Sequence, residues 1–405
     1  MLKPFIKHIL LAPVAVLTAL SLTLVSCKDE KKDKVFFPPS IDAETLSIPS
    51  EGMSEGMFVY VSVAQDLEWS IEITYPAETA EWGSLNPRTG IGSASPIFVC
   101  GANDSEESRS VTLQLKTADG SSSVTLSQFG KGEVTPSKRK GTPTAAPKWL
   151  ELPATSADDG LDFYHHPMTI MVSGRAKRTR NYSYYFDYGA RVAIWVAYPL
   201  NTGLIGGTGK RSEAWGLDPL MPKDDQAVLY SGFGVYGIDR GHQIPSADRY
   251  NLAANMETFY GTNMTPQNHA FNSGVWARLE DKVRAWARAS DTLYVVTGCI
   301  IDPPGGKVTD NVGKSVTKPS AYYKAVLRLS SSGTLGHGGY NACAVWLDHD
   351  ESLADMAISK SMSLSVRALE EKTGIDFFVN LPDKVGAATA KIIEEENPKS
   401  ISWWW

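Results

Sequence analysis

Cysteine is scarce, with four in 405 residues, too few for a disulfide-built scaffold of this length. No uncharged apolar run reaches the roughly 20 residues that a membrane-spanning helix needs. The longest, residues 9–25, contains Pro13 and is broken by Thr and Ser. Positive charge is not in surplus: 39 Lys and Arg against 45 Asp and Glu leave a net −6, which argues against a basic protein that coats nucleic acid. The sequence has no internal repeat, so a solenoid is excluded. What it does have is 42% hydrophobic residues, enough to exclude global disorder, and a length that suits two or three domains. The charge is unevenly spread. Residues 1–40 carry +3, 41–130 carry −10, 131–148 carry +4 and 149–405 carry −3, which sets a boundary near 130.

Lys3 and Lys7 precede the apolar run, and Leu24-Val25-Ser26-Cys27 follows it directly. This arrangement resembles the lipobox of bacterial lipoproteins; the alternative is an uncleaved signal anchor. The resemblance implies that residues 1–26 are a signal peptide, that Cys27 is acylated, and that residues 27–38, with the KDEKKDK run, form a charged tether. Two acyl chains give the stable anchoring that one cannot. Lys28 stands where an Asp would favour inner-membrane retention. The expected location is therefore the cell envelope, lipid-anchored at the outer membrane, on its periplasmic or outer face.

Residues 39–131 read as an all-β, immunoglobulin-like sandwich. The segments 58–64, 69–74, 95–102, 110–117 and 123–130 are β-branched or aromatic, several with period-2 alternation, and Gly, Asn, Asp and Pro separate them. EWSI (68–71), EWGSLNPRTGIGS (81–93), Asn103, Arg109 and the closing SVTLSQFG resemble the BACON family, a bacterial module often found beside glycan-active enzymes. The resemblance implies a glycan partner for residues 39–131. A spacer that lifts the rest of the chain off the membrane is the plainer reading. Trp69 and Trp82 read as core residues rather than sugar platforms. Residues 132–148, rich in Pro, Thr and Lys, read as a linker.

From 149 to 405 the pattern becomes α+β. Residues 191–200, 291–301, 320–330 and 341–349 read as strands. Residues 272–289 read as a helix, with Asn272 or Ser273 as N-cap, and 364–374 as a second helix ended by Gly374. GLIGGTGKRS (203–212) mimics a phosphate loop, but Leu204 stands where the spacing needs Gly and Arg211 where Ser or Thr should be, so it is no Walker motif. The decisive stretch is GIDRGHQIPSADR (237–249) followed by TNMTPQNHAFNSGVWARLEDKVRAW (262–286). It strongly resembles the DNA/RNA non-specific endonucleases, whose active site is a ββα-metal (His-Me finger) unit. GKRSEAWGLDP (209–219), VTG (296–298), KPSAYYK (318–324) and EEKTGIDFFVNLPD (370–383) extend the resemblance, which implies a mixed or antiparallel sheet carrying that unit.

Phosphodiester hydrolysis needs a water nucleophile, a base for its proton and positive charge on the developing oxyanions. His242 suits the base, since an ordinary histidine titrates near working pH. The resemblance implies that Asn272 binds the metal directly through its side-chain oxygen. Glu280, about 80° round a regular helix from Asn272, would hold metal-bound waters; its plainer role is an i,i+4 partner of Arg284. The expected ion is Mg²⁺, with Mn²⁺ as a substitute, because Mg²⁺ takes oxygen ligands and keeps several waters. Asn263 matches a second family Asn that positions the site. Arg240, Arg211 and Arg284 each match a family Arg, and the planar guanidinium suits phosphate oxygens. Asp239 reads as structural, and His269 gains no role.

Elsewhere, Arg175, Lys177, Arg178 and Arg180 read as a solvated charge run or a phosphate-tracking patch. His165-His166 reads as a loop pair. Cys299 and Cys343 read as a disulfide or as two buried thiols. Trp403 to Trp405 read as packing on the domain or closing a strand. The partners expected are DNA and RNA, gripped through the backbone, and a second copy of the chain as a homodimer. The competing reading is a surface glycan-binding lipoprotein with an auxiliary or inactive nuclease fold. The charge split further predicts that deleting the acidic module leaves cleavage intact.

Overall fold

The structure is a computed structural model that describes residues 38–43, 46–131, 147–156, 159–172, 175–205, 211–249, 251–331 and 337–405. The expected signal peptide, Cys27, the tether up to residue 37 and linker residues 132–146 lie outside the described residues, as do Gly209 and Lys210.

The N-terminal module is a sandwich of two sheets. One carries Ser40–Ala43, Met53–Ser62, Ile97–Cys100 and Gly83–Asn86 in that order. The other carries Ser47–Ile48, Gly120–Gln128, Arg109–Thr117, Glu68–Thr74 and Thr89–Ile91. Period-2 alternation buries Val111, Leu113 and Leu115 from one strand and Trp69 and Ile71 from another, as a sandwich core requires. Trp69 donates its indole N–H to Gly92 O at 2.8 Å. Trp82 meets Phe98 edge-on at 5.8 Å. Both tryptophans thus face inward.

The module does not stand apart. Ala253, from the helix Leu252–Glu257, is buried in the module's own core cluster, and Met256 packs against it. The Ala176 amide donates to Ser62 Oγ at 3.1 Å, and Arg178 lies 3.7 Å from Asp42. Arg180 is held by Glu151, with Nη2 to Oε2 at 2.8 Å, and lies over Trp149. Within the 175–180 charge run, Lys177 and Arg178 are thus exposed, whereas Arg180 is tied to a buried carboxylate.

The second part is built on a seven-stranded antiparallel sheet. Its order is Asp162–Val172, Arg175–Asp187, Val192–Leu200, Thr292–Ile300, Ala321–Leu329, Tyr340–Asp348 and Ser363–Leu364. His165 and His166 lie in its first strand, not in a loop. Alternation sends Tyr322, Val326, Cys343 and Val345 to one face, and Tyr323, Ala325, Leu327 and Ala344 to the other. The first face packs on the layer that carries the candidate site. The second is covered by the helices Val366–Thr373 and Ala387–Glu395 with Phe377 and Phe378. Ser365 caps the former helix, and Gly374 closes it at φ 72°. Cys299 and Cys343 are buried free thiols. Trp404 is fully buried, edge-on to Trp286 at 4.9 Å, so the terminal tryptophans pack on the domain.

Candidate active site

Two short strands, Ile238–His242 and Met264–Asn268, pair antiparallel, with Ile238 opposite Asn268 and His242 opposite Met264. Gly241 is needed here because a Cβ would fall 2.1 Å from Gln267 Oε1. The second strand runs straight into helix: one turn at His269–Phe271, a turn at Asn272–Trp276 kinked where Gly274 leaves helical geometry, then Ala277–Arg288. Asn272 is therefore inside the helix and not its N-cap. The helix buries Leu279, Val283, Trp286 and Ala287, the i, i+4, i+7, i+8 stripe of a core-facing helix. Each large side chain so buried contributes about 1.5–3 kcal/mol. Trp276 Nε1 donates to His242 O at 3.3 Å, tying helix to strand. Together these pieces form a ββα unit.

His242 is buried, and its Nε2 has no hydrogen-bond partner among the described residues. Its ring is walled edge-on by Phe259 at 5.0 Å and Trp215 at 5.8 Å. Burial pushes its pKa down to about 3, helped by the charges of Arg211 and Arg240. The ring is thus neutral at neutral pH, with a free nitrogen.

Asp239, three residues earlier on the same strand, takes two donors on Oδ2: His269 Nδ1 at 2.9 Å and Asn272 Nδ2 at 2.9 Å. The second bond fixes the Asn272 amide so that its oxygen faces away from Asp239. Glu280 follows eight positions on. Between them Gly274 leaves helical geometry, at φ −99° and ψ −111°, so the chain kinks there. Lys324 approaches from the sheet, where alternation places it on the face of Tyr322 and Val326. Its Nζ donates to Thr297 Oγ1 at 3.0 Å and lies 4.4 Å from the Trp276 ring centre. Burial raises the Glu280 carboxyl and lowers the Lys324 amine, and each holds the other's charge against that burial.

The arginines are not equivalent. Arg240 Nη1 donates to Leu229 O at 2.8 Å and Tyr230 O at 2.9 Å, and its guanidinium stacks 3.4 Å from the Trp215 ring centre. Arg211 is half-exposed, 3.3 Å from both Ser246 Oγ and Glu213 Oε1. Arg284 bridges Asp248 at 3.0 Å and Asp281 at 2.7 Å, so its ion pairs run to these and not to Glu280. Asn263 is fully buried. Its Oδ1 accepts from Ile244 N at 3.0 Å, and its Nδ2 donates to Ile244 O and Thr258 O. It staples the chain just beyond His242.

The sequence profile of the DNA/RNA non-specific endonucleases matches residues 159–384. The chain belongs to this family. A second profile, BACON, described as a putative N-terminal binding domain, matches residues 69–129. A nuclease of Nostoc sp. is 32% identical over 209 residues, covering 50% of this chain and 73% of the relative. A nuclease of Serratia marcescens is 33% identical over 203 residues, covering 49% and 73%. The mitochondrial endonuclease G of Bos taurus is 25% identical over 255 residues, covering 59% and 79%.

Sequence reasoning missed several neighbours of the site in this non-specific endonuclease. Lys324 could have been found from the period-2 pattern of AYYKAVLRL, which puts it among buried residues. Trp215 lies in the GKRSEAWGLDP segment already singled out but was given no role, and Phe259 had no local signal, because it meets His242 only in three dimensions. His166 was underrated. It is buried, 3.0 Å from Asp218 Oδ2 and 3.9 Å from Glu257 Oε1. Burial opposes its charge, but the two carboxylates together lift its pKa. Tyr184 and Thr262 donate to the same Asp218 oxygen, so this cluster braces the long hairpin against the loop leading to the site.

Proposed function

We propose that the chain is an exported, lipid-anchored endonuclease that hydrolyses phosphodiester bonds of DNA and RNA with a divalent metal ion, Mg²⁺, which Mn²⁺ can replace. The observation that carries the reading is His242: a buried, neutral imidazole with an unpartnered Nε2, on the strand whose Asp239 fixes the Asn272 amide. The donors present fit the ion. Asn272 offers an amide oxygen and Glu280 a carboxylate eight positions on, a sparse oxygen set suited to an ion that keeps most of its waters. When bound, Mg²⁺ would supply Lewis-acid stabilisation of charge on the phosphate and leaving oxygens.

His242 Nε2 takes a proton from water as the water oxygen attacks phosphorus. The bond to the 3′ oxygen breaks, and that oxygen takes a proton from solvent. The products are a 5′-phosphate and a 3′-hydroxyl. Arg211 and Arg240 supply positive charge beside His242, Glu280 orients water, Arg284 steadies the helix end of the site through Asp248, and Asn263 positions the chain after His242. The anchor rests on the Cys27 motif, and Cys27→Ser should move the protein from membrane to soluble fractions.

The test is digestion of plasmid and RNA by the full chain. Cleavage should need a divalent ion and stop with EDTA. His242→Ala should lower it by about 10²–10⁴-fold. Undiminished cleavage by His242→Ala would remove the general-base assignment. Glycan capture without any cleavage would support the glycan-binding lipoprotein instead.

A further inference from the structure

Residues 229–237, just ahead of the Ile238–His242 strand, form a loop that is well anchored yet displays bare aromatic surface. Its glycines 232, 234 and 237 have φ of 95°, 67° and 78°. No atom lies within 4 Å of a Cβ built at any of them, so the left-handed backbone and not close packing calls for glycine. The anchors are specific. Arg240 holds Leu229 O and Tyr230 O. Asn311 Oδ1 accepts from Ser231 N at 2.9 Å, and Asn311 Nδ2 donates to Gly232 O at 2.6 Å. His269 N donates to Gly237 O at 2.8 Å. The loop is thereby fixed at one end by Arg240 and at the other by the first residue of the Asn272 helix.

At its crest Tyr236 is fully exposed, at 105% of the reference area, beside Val235 at 45%; Tyr230 is at 49%. Among the described residues Tyr236 makes no ring contact or hydrogen bond. Solvated phenol and valine surface on an ordered loop is unfavourable for the free protein. Its neighbours indicate what could cover it. Arg240 belongs to the loop's own anchor, and Arg211 lies close enough to His242 to depress its charge. These cations attract phosphates, and each phosphate of a nucleic acid brings a flat, weakly hydrated base within a few ångströms. Aromatic rings stack on such bases whatever their sequence.

We propose that Tyr236 is a stacking platform for a nucleobase next to the scissile phosphate, and that it makes the site favour single-stranded or locally unpaired substrate. A base inside a duplex is already stacked on both faces and must be extruded before it can reach the ring. The proposal rests on the nuclease reading above.

The test uses the full chain carrying His242→Ala to prevent turnover, with Mg²⁺ present. Its affinity is measured by fluorescence anisotropy for a thymidine 12-mer, a 12-base-pair duplex and an abasic strand of the same length. Adding Tyr236→Ala should weaken single-strand binding by about 5- to 100-fold and change duplex and abasic binding by less than about twofold. Tyr236→Trp should keep single-strand affinity, and its indole fluorescence should be quenched on binding. Unchanged single-strand affinity in Tyr236→Ala, or an equal loss on all three ligands, would overturn the stacking role. Cleavage by the otherwise wild-type chain separates the two failures. If that chain cleaves neither DNA nor RNA, the nuclease reading fails; if it cleaves while Tyr236→Ala binds normally, only the platform fails.

Discussion

Lys324 and Glu280 come from a strand and a helix far apart in sequence, yet each opposes the loss of the other's charge that burial causes. Breaking such a pair from one side leaves an uncompensated charge. Lys324→Met preserves the aliphatic stem and removes the cation. The Glu280 pKa then rises further, so the carboxylate is lost at a higher pH as the solution is acidified. The acid limb of kcat/KM should move to higher pH, and activity at neutral pH should fall about 10- to 100-fold, as for other groups that orient a metal site's ligands. A pH–rate profile that keeps its acid limb would show that cleavage does not depend on this charge. His242, Asn272 and Glu280 could be named from the sequence because the motif that carries them is local, and all three lie on the ββα unit. Lys324 was not named, because its partner is set by which face of a strand meets which helix.

At the scale of elements, the turn at Asn272–Trp276 joins Asn272 to the helix that carries Glu280. It contains Gly274, at φ −99° and ψ −111°, where a Cβ would stand 2.4 Å from Ala354 O. Arg278 donates to the carbonyls of Ala354 and Met356 across the same contact. Gly274→Ala should therefore destabilise the fold by about 1–3 kcal/mol, the usual result of overpacking, and lower cleavage by shifting Asn272. Denaturant titration measures the first effect; a loss under about 0.5 kcal/mol, near the level of a neutral surface change, would mean that the Ala354 loop gives way freely. The central strands at 192–200, 292–300, 321–329 and 340–348 were readable from β-branched and aromatic alternation. The hairpin Asp162–Val172 and Arg175–Asp187 was not, because His, Arg, Lys and Thr break its apolar pattern and its polar groups find partners only in the fold. The kink at Gly274 was equally hidden, since the loop packed against it lies 80 residues away.

Across the whole molecule, the charge split describes the module's composition but not its attachment. An acidic block of −10 followed by a basic stretch reads as a detachable unit, and the deletion was expected to leave cleavage intact. Yet Ala253 is buried in the module's core cluster and Met256 packs against it. Their helix leads directly to Phe259, which walls His242. A chain lacking residues 39–131 should have a lower Tm than the full chain and lose cleavage earlier on heating. Equal melting temperatures for the two forms, read by calorimetry, would show that the contact carries no stability.

The three thiols among the described residues, Cys100, Cys299 and Cys343, are all buried in sheet cores, and burial raises the pKa of each. A thiol seldom ionised and out of reach of solvent is a poor target for oxidants and for disulfide exchange. The described fold therefore owes nothing to the redox state of its surroundings. It can form under reducing conditions and persist under oxidising ones, with no crosslink among the described residues to make or to protect.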